Sequence, residues 1–325
     1  MPYEKIKFIE RKFPSCNMVL VKDEKPIIID TGFGSDREET KRLIENAGVK
    51  LKELYLIVNT HYHTDHVGGN YFIQKHYGTK IAAHKWDANI TNSVDLESGL
   101  SIYLDQPLEP YKIDVRLEDG DEINTGNKTF QVLHTPGHTL GHISLYEPDD
   151  QVLIVGDLFH RNDVGWINIF REGVGAIHRS IESLERLRNL PVKVAYSGHG
   201  PKIDEPQKSI DQAIERYRRW ISNPESVGWH SLKRIFAYTL IIKNGLQKNE
   251  VNEYLVKSSW FRDIATHIFQ TKPEQFVQPL LNEMIRSQAA MWHGDRLIAT
   301  TPYNLADPSW MKEDIKPNDW EKIHL

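Results

Sequence analysis

The stretch that decides the fold is Asn59-Thr60-His61-Tyr62-His63-Thr64-Asp65-His66-Val67-Gly68-Gly69-Asn70, which places three imidazoles and one carboxylate within six positions. It follows a short apolar run, residues 54–58, whose β-branched composition is typical of a buried strand. The two glycines lead into a segment with helical character. The stretch is therefore predicted to lie on a loop between a strand and a helix.

The spacing of the polar residues in this loop indicates a metal site. Side chains alternate between the two faces of an extended backbone, so His61, His63 and Asp65 are expected on one side, and His66, at the turn, can reach a neighbouring point. Zinc binds imidazole nitrogen and carboxylate oxygen at about 2.0 to 2.2 Å, and a catalytic zinc keeps one position for water. Six residues cannot complete such a coordination shell, so other parts of the chain must supply ligands.

Three later segments carry candidate ligands at predicted strand ends. Thr135-Pro136-Gly137-His138-Thr139 follows a strand over 128–134, and proline and glycine there restrict the loop that carries His138. Asp157 ends the apolar run 152–156, where a carboxylate is costly unless it is paired or metal-bound. His199 lies just after the predicted strand 192–196. Each of these residues is a candidate to complete the site.

The pattern His-x-His-x-Asp-His, followed in order by these segments, resembles the signature of the metallo-β-lactamase superfamily. The resemblance covers about residues 15–205, and it implies that Asp30, in Ile27-Ile28-Ile29-Asp30-Thr31-Gly32, supports the site from outside the ligand set. Asp65, one of the implied ligands, is also the candidate catalytic proton shuttle, because its carboxylate can orient the water and later protonate the leaving group. The implied ligands are His61, His63 and His138 for one metal; Asp65, His66 and His199 for the second; and Asp157 bridging both.

The resemblance implies an α/β fold in which an αββα sandwich forms a catalytic domain over residues 1–206. Residues 207–325 are expected to form a small, mainly helical, winged-helix-like domain, because predicted helices are followed by two strands around the turn His293-Gly294-Asp295. Within this part, helices are predicted over 232–244 and 273–288, and the stretch 260–269 is interpreted as a loop.

The C-terminal part shows little sign of nucleic-acid binding. Residues 207–325 contain 16 Lys and Arg against 14 Asp and Glu, and the candidate recognition helix 276–288 carries only Glu283 and Arg286. That charge is too small to follow a phosphate backbone. We therefore expect this domain to pack over the site or to form a homodimer.

Bulk composition is that of a globular protein of 325 residues with a net charge of −5 and 39% hydrophobic residues. No apolar run approaches the roughly 18 residues that a membrane-spanning helix needs. The first residues lack signal-peptide character, and Cys16 is the only cysteine. These features predict a cytoplasmic protein that does not associate with a membrane.

Residues 158–175 directly follow Asp157 in the sequence and are the candidate substrate-contact loop. Arg161 and Arg171 could meet an anionic group, although the loop's aromatic residues could instead simply cap the sandwich. Residues 85–112 are either a cover for the active site or a surface excursion. The candidate substrate contacts are Phe159, His160, Trp166 and Phe170.

Two divalent ions sharing one carboxylate would hold a bridging hydroxide at neutral pH. The favoured function is therefore a dinuclear zinc-dependent hydrolase of a small-molecule ester, thioester or lactone, with iron or manganese as possible metals. The alternatives are an endoribonuclease acting on single-stranded RNA and a mononuclear iron sulfur dioxygenase. A scaffold protein is disfavoured, because structural zinc requires neither a bridging carboxylate nor an open position.

Overall fold

The computed structural model describes residues 5–93 and 101–305. Its first sheet has six strands in the order β1 to β6. Strands β1 to β3 are antiparallel neighbours, and β3 to β6 pair in parallel. The strands are β1 (Ile6–Ile9), β2 (Met18–Val21), β3 (Ile27–Ile29), β4 (Leu56–Val58), β5 (Lys80–His84) and β6 (Val115–Leu117).

The second sheet has five strands in the order β11-β10-β9-β8-β7, in which only β10 and β11 are parallel. Its strands are β7 (Glu122–Asn124), β8 (Thr129–His134), β9 (Ile143–Glu147), β10 (Val152–Gly156) and β11 (Val194–Ser197). The helices of this half of the chain are α1 (Arg37–Asn46), α2 (Thr64–Val67), α3 (Asn70–Tyr77), α4 (Lys85–Asn92) and α5 (Ala176–Arg188).

The alternation of side chains along the central strands builds the layers. Ile27 and Ile29 of β3 point between the two sheets, where they join Val132 and Leu145 of the second sheet. Ile28, between them, points outward into the cluster that contains residues of α1 and α3. Every residue of β3 and β10 is buried, because both faces of these strands are covered. The predicted αββα sandwich is confirmed.

The C-terminal elements are α6 (Pro206–Ser222), α7 (Pro224–Ile242), β12 (Leu246–Gln247), α8 (Lys248–Lys257), α9 (Ser259–Asp263), a π-helical turn (Ile264–Ile268), α10 (Pro273–Arg286), β13 (Ala290–His293) and β14 (Arg296–Ala299). The three strands form a sheet in the order β12-β14-β13. Helices followed by a hairpin that closes on a short earlier strand match the predicted winged-helix-like arrangement.

Two local predictions in this part were wrong. The stretch 260–269, interpreted as a loop, is helical over most of its length, and its Trp260 and Phe261 are fully buried. Burial of these rings compensates for the weak helix propensity of an aromatic-rich segment. Helix α7 begins eight residues earlier than predicted, at Pro224, a residue type favoured in the first turn of a helix.

The C-terminal elements pack on the sandwich in two places. Helix α6 lies along α5 and buries Ile210, Ile214 and Tyr217 in the same cluster as Leu184. The elements from α7 onward share a second cluster, which also takes in Tyr103 and Leu104 from the sandwich half. The division at residue 206 stays a prediction, as do the homodimer and the cytoplasmic location. None of the helices described is both long and apolar enough to cross a membrane.

Candidate metal centre

The predicted ligands meet because the strands that precede them end at one edge of the sandwich. Strand β4 leads into residues 59–66, β8 leads to His138, β10 to Asp157 and β11 to His199. The two sheets are packed face to face, so loops leaving the same edge converge. The structure brings all the predicted ligands into one region, grouped into overlapping sets of three.

The first set consists of His61, His63 and His138, all buried. Nε2 of His138 lies 3.2 Å from Nε2 of His61 and 2.9 Å from Nδ1 of His63. Ligands at about 2.1 Å from a tetrahedral zinc are roughly 3.4 Å apart, so these nitrogens are close to coordination spacing. The extended backbone over 61–63 and the tight loop at His138 produce this arrangement.

The second set consists of Asp65, His66 and His199. Nε2 of His199 lies 3.1 Å from Oδ2 of Asp65, and Nε2 of His66 lies 3.9 Å from the same oxygen. Asp157 stands between the two sets. Its Oδ1 is 3.4 Å from His66 Nε2, and its Oδ2 is 3.5 Å from His199 Nε2 and 3.8 Å from His138 Nε2.

The donor atoms of these residues are suited to bind a metal ion. Nε2 of His66 and Oδ1 of Asp157 are buried and have no hydrogen-bond partner among the described residues, an arrangement that a cation between them would satisfy. Burial, together with neighbouring imidazoles, holds the pKa of His61 and of His63 well below the usual range. Neutral imidazole is the form that binds a metal.

Asp30 orients the second set from outside. Its Oδ2 lies 2.8 Å from Nδ1 of His66, and its two oxygens accept hydrogen bonds from the backbone N–H and the hydroxyl of Thr60, at 2.8 and 2.7 Å. Asp30 has a φ of 59°, a left-handed conformation that Asp and Asn tolerate better than most residues. The carboxylate therefore leaves Nε2 of His66 pointing at the metal position.

Trp166 holds the first set in a similar way. Its carbonyl oxygen lies 2.6 Å from Nδ1 of His138, and its indole stacks on the His63 ring at 5.4 Å between centroids. His142 supports the loop that carries Asp157. It accepts a hydrogen bond from the backbone N–H of Asp157 at 3.2 Å and lies 2.9 Å from the Thr135 hydroxyl. It is not within any of the candidate ligand sets.

Phe13 and Glu172 contribute to the site without having been identified from the sequence. The Phe13 ring stacks on His199 at 4.8 Å, and no local pattern links residues so far apart in the chain. Buried Glu172 accepts hydrogen bonds from the Tyr62 hydroxyl at 2.9 Å and from the Leu140 backbone N–H at 2.8 Å. Tyr62 lies between two predicted ligands and Leu140 follows a third, so Glu172 ties the two ligand loops together.

We expect Glu172→Gln to weaken metal binding about tenfold, the lower end of the range for outer partners of ligands. A neutral amide offers one acceptor oxygen in place of two, so one of the two donors loses its partner. Titration of the apo protein with zinc against a chromophoric chelator measures this affinity. Glu147→Gln is the matched control, because buried Glu147 also accepts from a side chain and a backbone N–H, but on β9. Equal zinc affinities for the two variants would contradict the role of Glu172.

A cavity of about 270 Å³ opens beside the candidate ligands. His63, Asp65, Asp157 and His199 reach its surface from the sandwich. Helix α7 forms the opposite wall of the cavity. Its lining residues recur every three or four positions and so lie on one face of the helix. The α7 residues that line the cavity are Arg234, Ile235, Ala237, Tyr238 and Ile241.

The structure brings two of the four candidate substrate contacts to this cavity. His160 and Trp166 line it. Phe159 does not, because its side chain is fully buried in the cluster between β10, α5 and α6. Phe170 packs instead against the C-terminal cluster, with its ring 5.8 Å from that of His267. The sequence shows that these aromatic residues lie close to Asp157 along the chain. It does not show which of their side chains point into the cavity.

The two arginines proposed for an anionic group are also placed elsewhere. Arg161 donates to the carbonyl oxygen of Lys202, and Arg171 lies over the Tyr103 ring. In the stretch 85–112, residues 94–100 lie outside the described residues. Leu104 and Gln106 line the cavity, so the part just before residue 107 covers the metal centre.

Comparison with known proteins agrees with this geometry. A hydroxyacylglutathione hydrolase of Hyphomonas neptunium is 30% identical over 51% of this chain, and the chain spans 57% of its length. One of Haemophilus influenzae is 28% identical over 57% of this chain and 85% of its own.

A metallo-beta-lactamase family protein of Thermus thermophilus shares the fold with a TM-score of 0.60 and 17% identity, over 92% of this chain and 99% of its own. The family model described as the metallo-beta-lactamase superfamily matches residues 11–199 and so takes in the predicted ligands. The chain therefore belongs to the metallo-beta-lactamase superfamily.

Proposed function

We propose that the protein is a metal-dependent hydrolase that cleaves an ester, thioester or lactone with two ions held by the candidate ligands, zinc being the default metal. The observation that carries the proposal is the position of Asp157, whose two oxygens face histidines of both sets. A single structural ion has no need of such a shared carboxylate.

The chain's own residues have distinct roles in this reaction. Bound metal would supply an activated water molecule and a Lewis acid for the carbonyl group. Asp65 reaches the cavity, and its Oδ2 is also within hydrogen-bond distance of Nε2 of His199, so this carboxylate is placed to accept a proton and return it to the leaving group. Leu104, Trp166 and Ile235 line the cavity with apolar surface and limit the access of bulk water.

The relatives favour a thioester as the first substrate to test. The names of the two matched hydroxyacylglutathione hydrolases describe hydrolysis of a thioester. An apolar wall from α7 suits an acyl group or an apolar leaving group, because it offers few hydrogen-bonding partners for polar substrates. The ester and lactone classes share the same carbonyl chemistry.

The test combines elemental analysis with a substrate panel. The purified protein is assayed for zinc, iron and manganese, then for hydrolysis of an S-acyl thioester, an aliphatic lactone, an aryl ester and a single-stranded RNA. We expect two zinc ions per chain and turnover of an acyl substrate that is lost with a chelator and restored by zinc. One iron per chain, or cleavage of RNA alone, would overturn the proposal.

A further inference from the structure

Arg234 of α7 is the one arginine or lysine among the described residues that line the cavity. It shares that cavity with Asp65, Asp157 and His199 of the metal centre, and its side chain is 54% exposed. Its neighbours on the same helical face, Ala237, Tyr238 and Ile241, are largely apolar. A substrate that fills the cavity therefore meets one guanidinium group, beside the Asp163 carboxylate, on a helical face that is otherwise largely apolar.

The ion pairs around Arg234 contain more positive than negative charge. Arg234 forms an ion pair with Asp163, which also lies 3.0 Å from the Arg216 guanidinium and 3.3 Å from Nε2 of His230. Two arginines thus face one carboxylate. The cluster carries one positive charge in excess. Arg234 and Asp163 both reach the cavity, and Arg216 does not.

The Arg234 guanidinium has more N–H donors than its hydrogen bond with Asp163 uses. Arginine offers five N–H groups in a fixed fork that matches a carboxylate, and among the described residues Asp163 is the partner with which Arg234 forms a hydrogen bond. Asp163 also fixes the arginine in place, because its other oxygen is held by Arg216 and His230. A pre-oriented cation loses little entropy when it binds an anion.

We propose that Arg234 binds an anionic substituent of the substrate, so that the enzyme acts on acyl compounds that carry a carboxylate away from the scissile bond. This inference rests on the proposed function, since it names the substrate class of the same cavity. Residues such as Ile235 and Trp166 accommodate the apolar part of the molecule, and the metal centre receives the carbonyl group. The reaction releases an acid and an alcohol or thiol, one of which retains the carboxylate.

Matched substrates test the proposal. The probes are the acetyl thioester of 3-mercaptopropionate and that of 3-mercaptopropionamide, together with the S-succinyl and S-succinamoyl thioesters of N-acetylcysteamine. Each pair differs only in a carboxylate or its neutral amide. We expect the wild-type protein to prefer the anionic member of at least one pair by about tenfold in kcat/KM, the size of a charge-assisted hydrogen bond.

Arg234→Gln is expected to bring that ratio close to one, mainly through KM, and Arg234→Lys to keep part of it. Lys233→Gln is the matched control, because Lys233 is the neighbouring cation on α7 but pairs with Glu283 and does not line the cavity, and this variant should keep the wild-type ratio. An equal loss of preference in both variants, or no loss in Arg234→Gln, would overturn the assignment. Melting curves of the variants show that each is folded.

A binding experiment separates this inference from the proposed function. Calorimetric titration of the metal-loaded protein with dicarboxylates of four to eight carbons and with their half-amides needs no turnover. We expect at least one dicarboxylate to bind about tenfold more tightly than its half-amide, and the difference to vanish in Arg234→Gln. If this result holds while no thioester is cleaved, the anion site stands and the hydrolase proposal fails. If thioesters are cleaved without any such difference, the anion site fails alone.

Discussion

Asp157→Asn is expected to lower kcat for the acyl substrate on the order of a thousandfold and to reduce the metal content from two ions per chain to one or none. An outer partner of a metal ligand costs roughly 10- to 100-fold, so the loss of a ligand shared by two ions exceeds that range. The amide keeps the size of the side chain but has one oxygen and no charge. It cannot serve both sets of histidines. Elemental analysis and initial rates on the same preparation measure the two effects together.

Asp87→Asn is the matched control for this variant. Asp87 is also a buried aspartate, but it lies outside the candidate ligand sets. Burial, and then the charge of Glu172, raises the pKa of Asp87 well above its usual range, which favours the neutral carboxyl group that an amide resembles. We expect wild-type metal content and rate. Two ions and a full rate in Asp157→Asn would show that Asp157 is not the shared ligand.

Asp30→Asn is expected to weaken binding of the second ion by about 10- to 100-fold, the range measured for the outer partners of metal ligands. Asparagine tolerates the left-handed backbone at this position, so the substitution tests the carboxylate rather than the turn. One of the three groups that Asp30 holds, the Thr60 N–H, the Thr60 hydroxyl or His66 Nδ1, then loses its acceptor. Stepwise zinc titration should show the first site retained and the second weakened.

Asp36→Asn separates this effect from a general loss of stability. Asp36 is buried as well, and it accepts a hydrogen bond from the Ser15 hydroxyl at 2.7 Å, but it does not contact a candidate ligand. Both variants should lower the melting temperature of the apo protein, because each disturbs a buried, hydrogen-bonded carboxyl group. If Asp36→Asn weakened the second zinc site as much as Asp30→Asn, the orienting role of Asp30 would be wrong.

Asp30 and Asp157 illustrate how much of the site local sequence can predict. Asp157 ends an apolar strand, where burial of a lone carboxylate is costly, and Asp30 ends another. Ile27, Ile28 and Ile29 alternate between the two faces of the sheet, as the pleat of a strand requires. The prediction was less successful for the stretch 260–269, where the rings of Trp260 and Phe261 are buried by long-range contacts that no local pattern reveals.

The sequence by itself determined the sandwich and the set of candidate ligands, because its motifs resemble those of a known superfamily and each of them follows a predicted strand. Only the tertiary structure decided what surrounds them. Phe13 on His199, Glu172 between two ligand loops and Arg234 on the cavity wall come from segments far apart in the chain. The sequence predicts a helix in the region of α7. It does not say which loops this helix packs against, since this depends on the fit between whole surfaces.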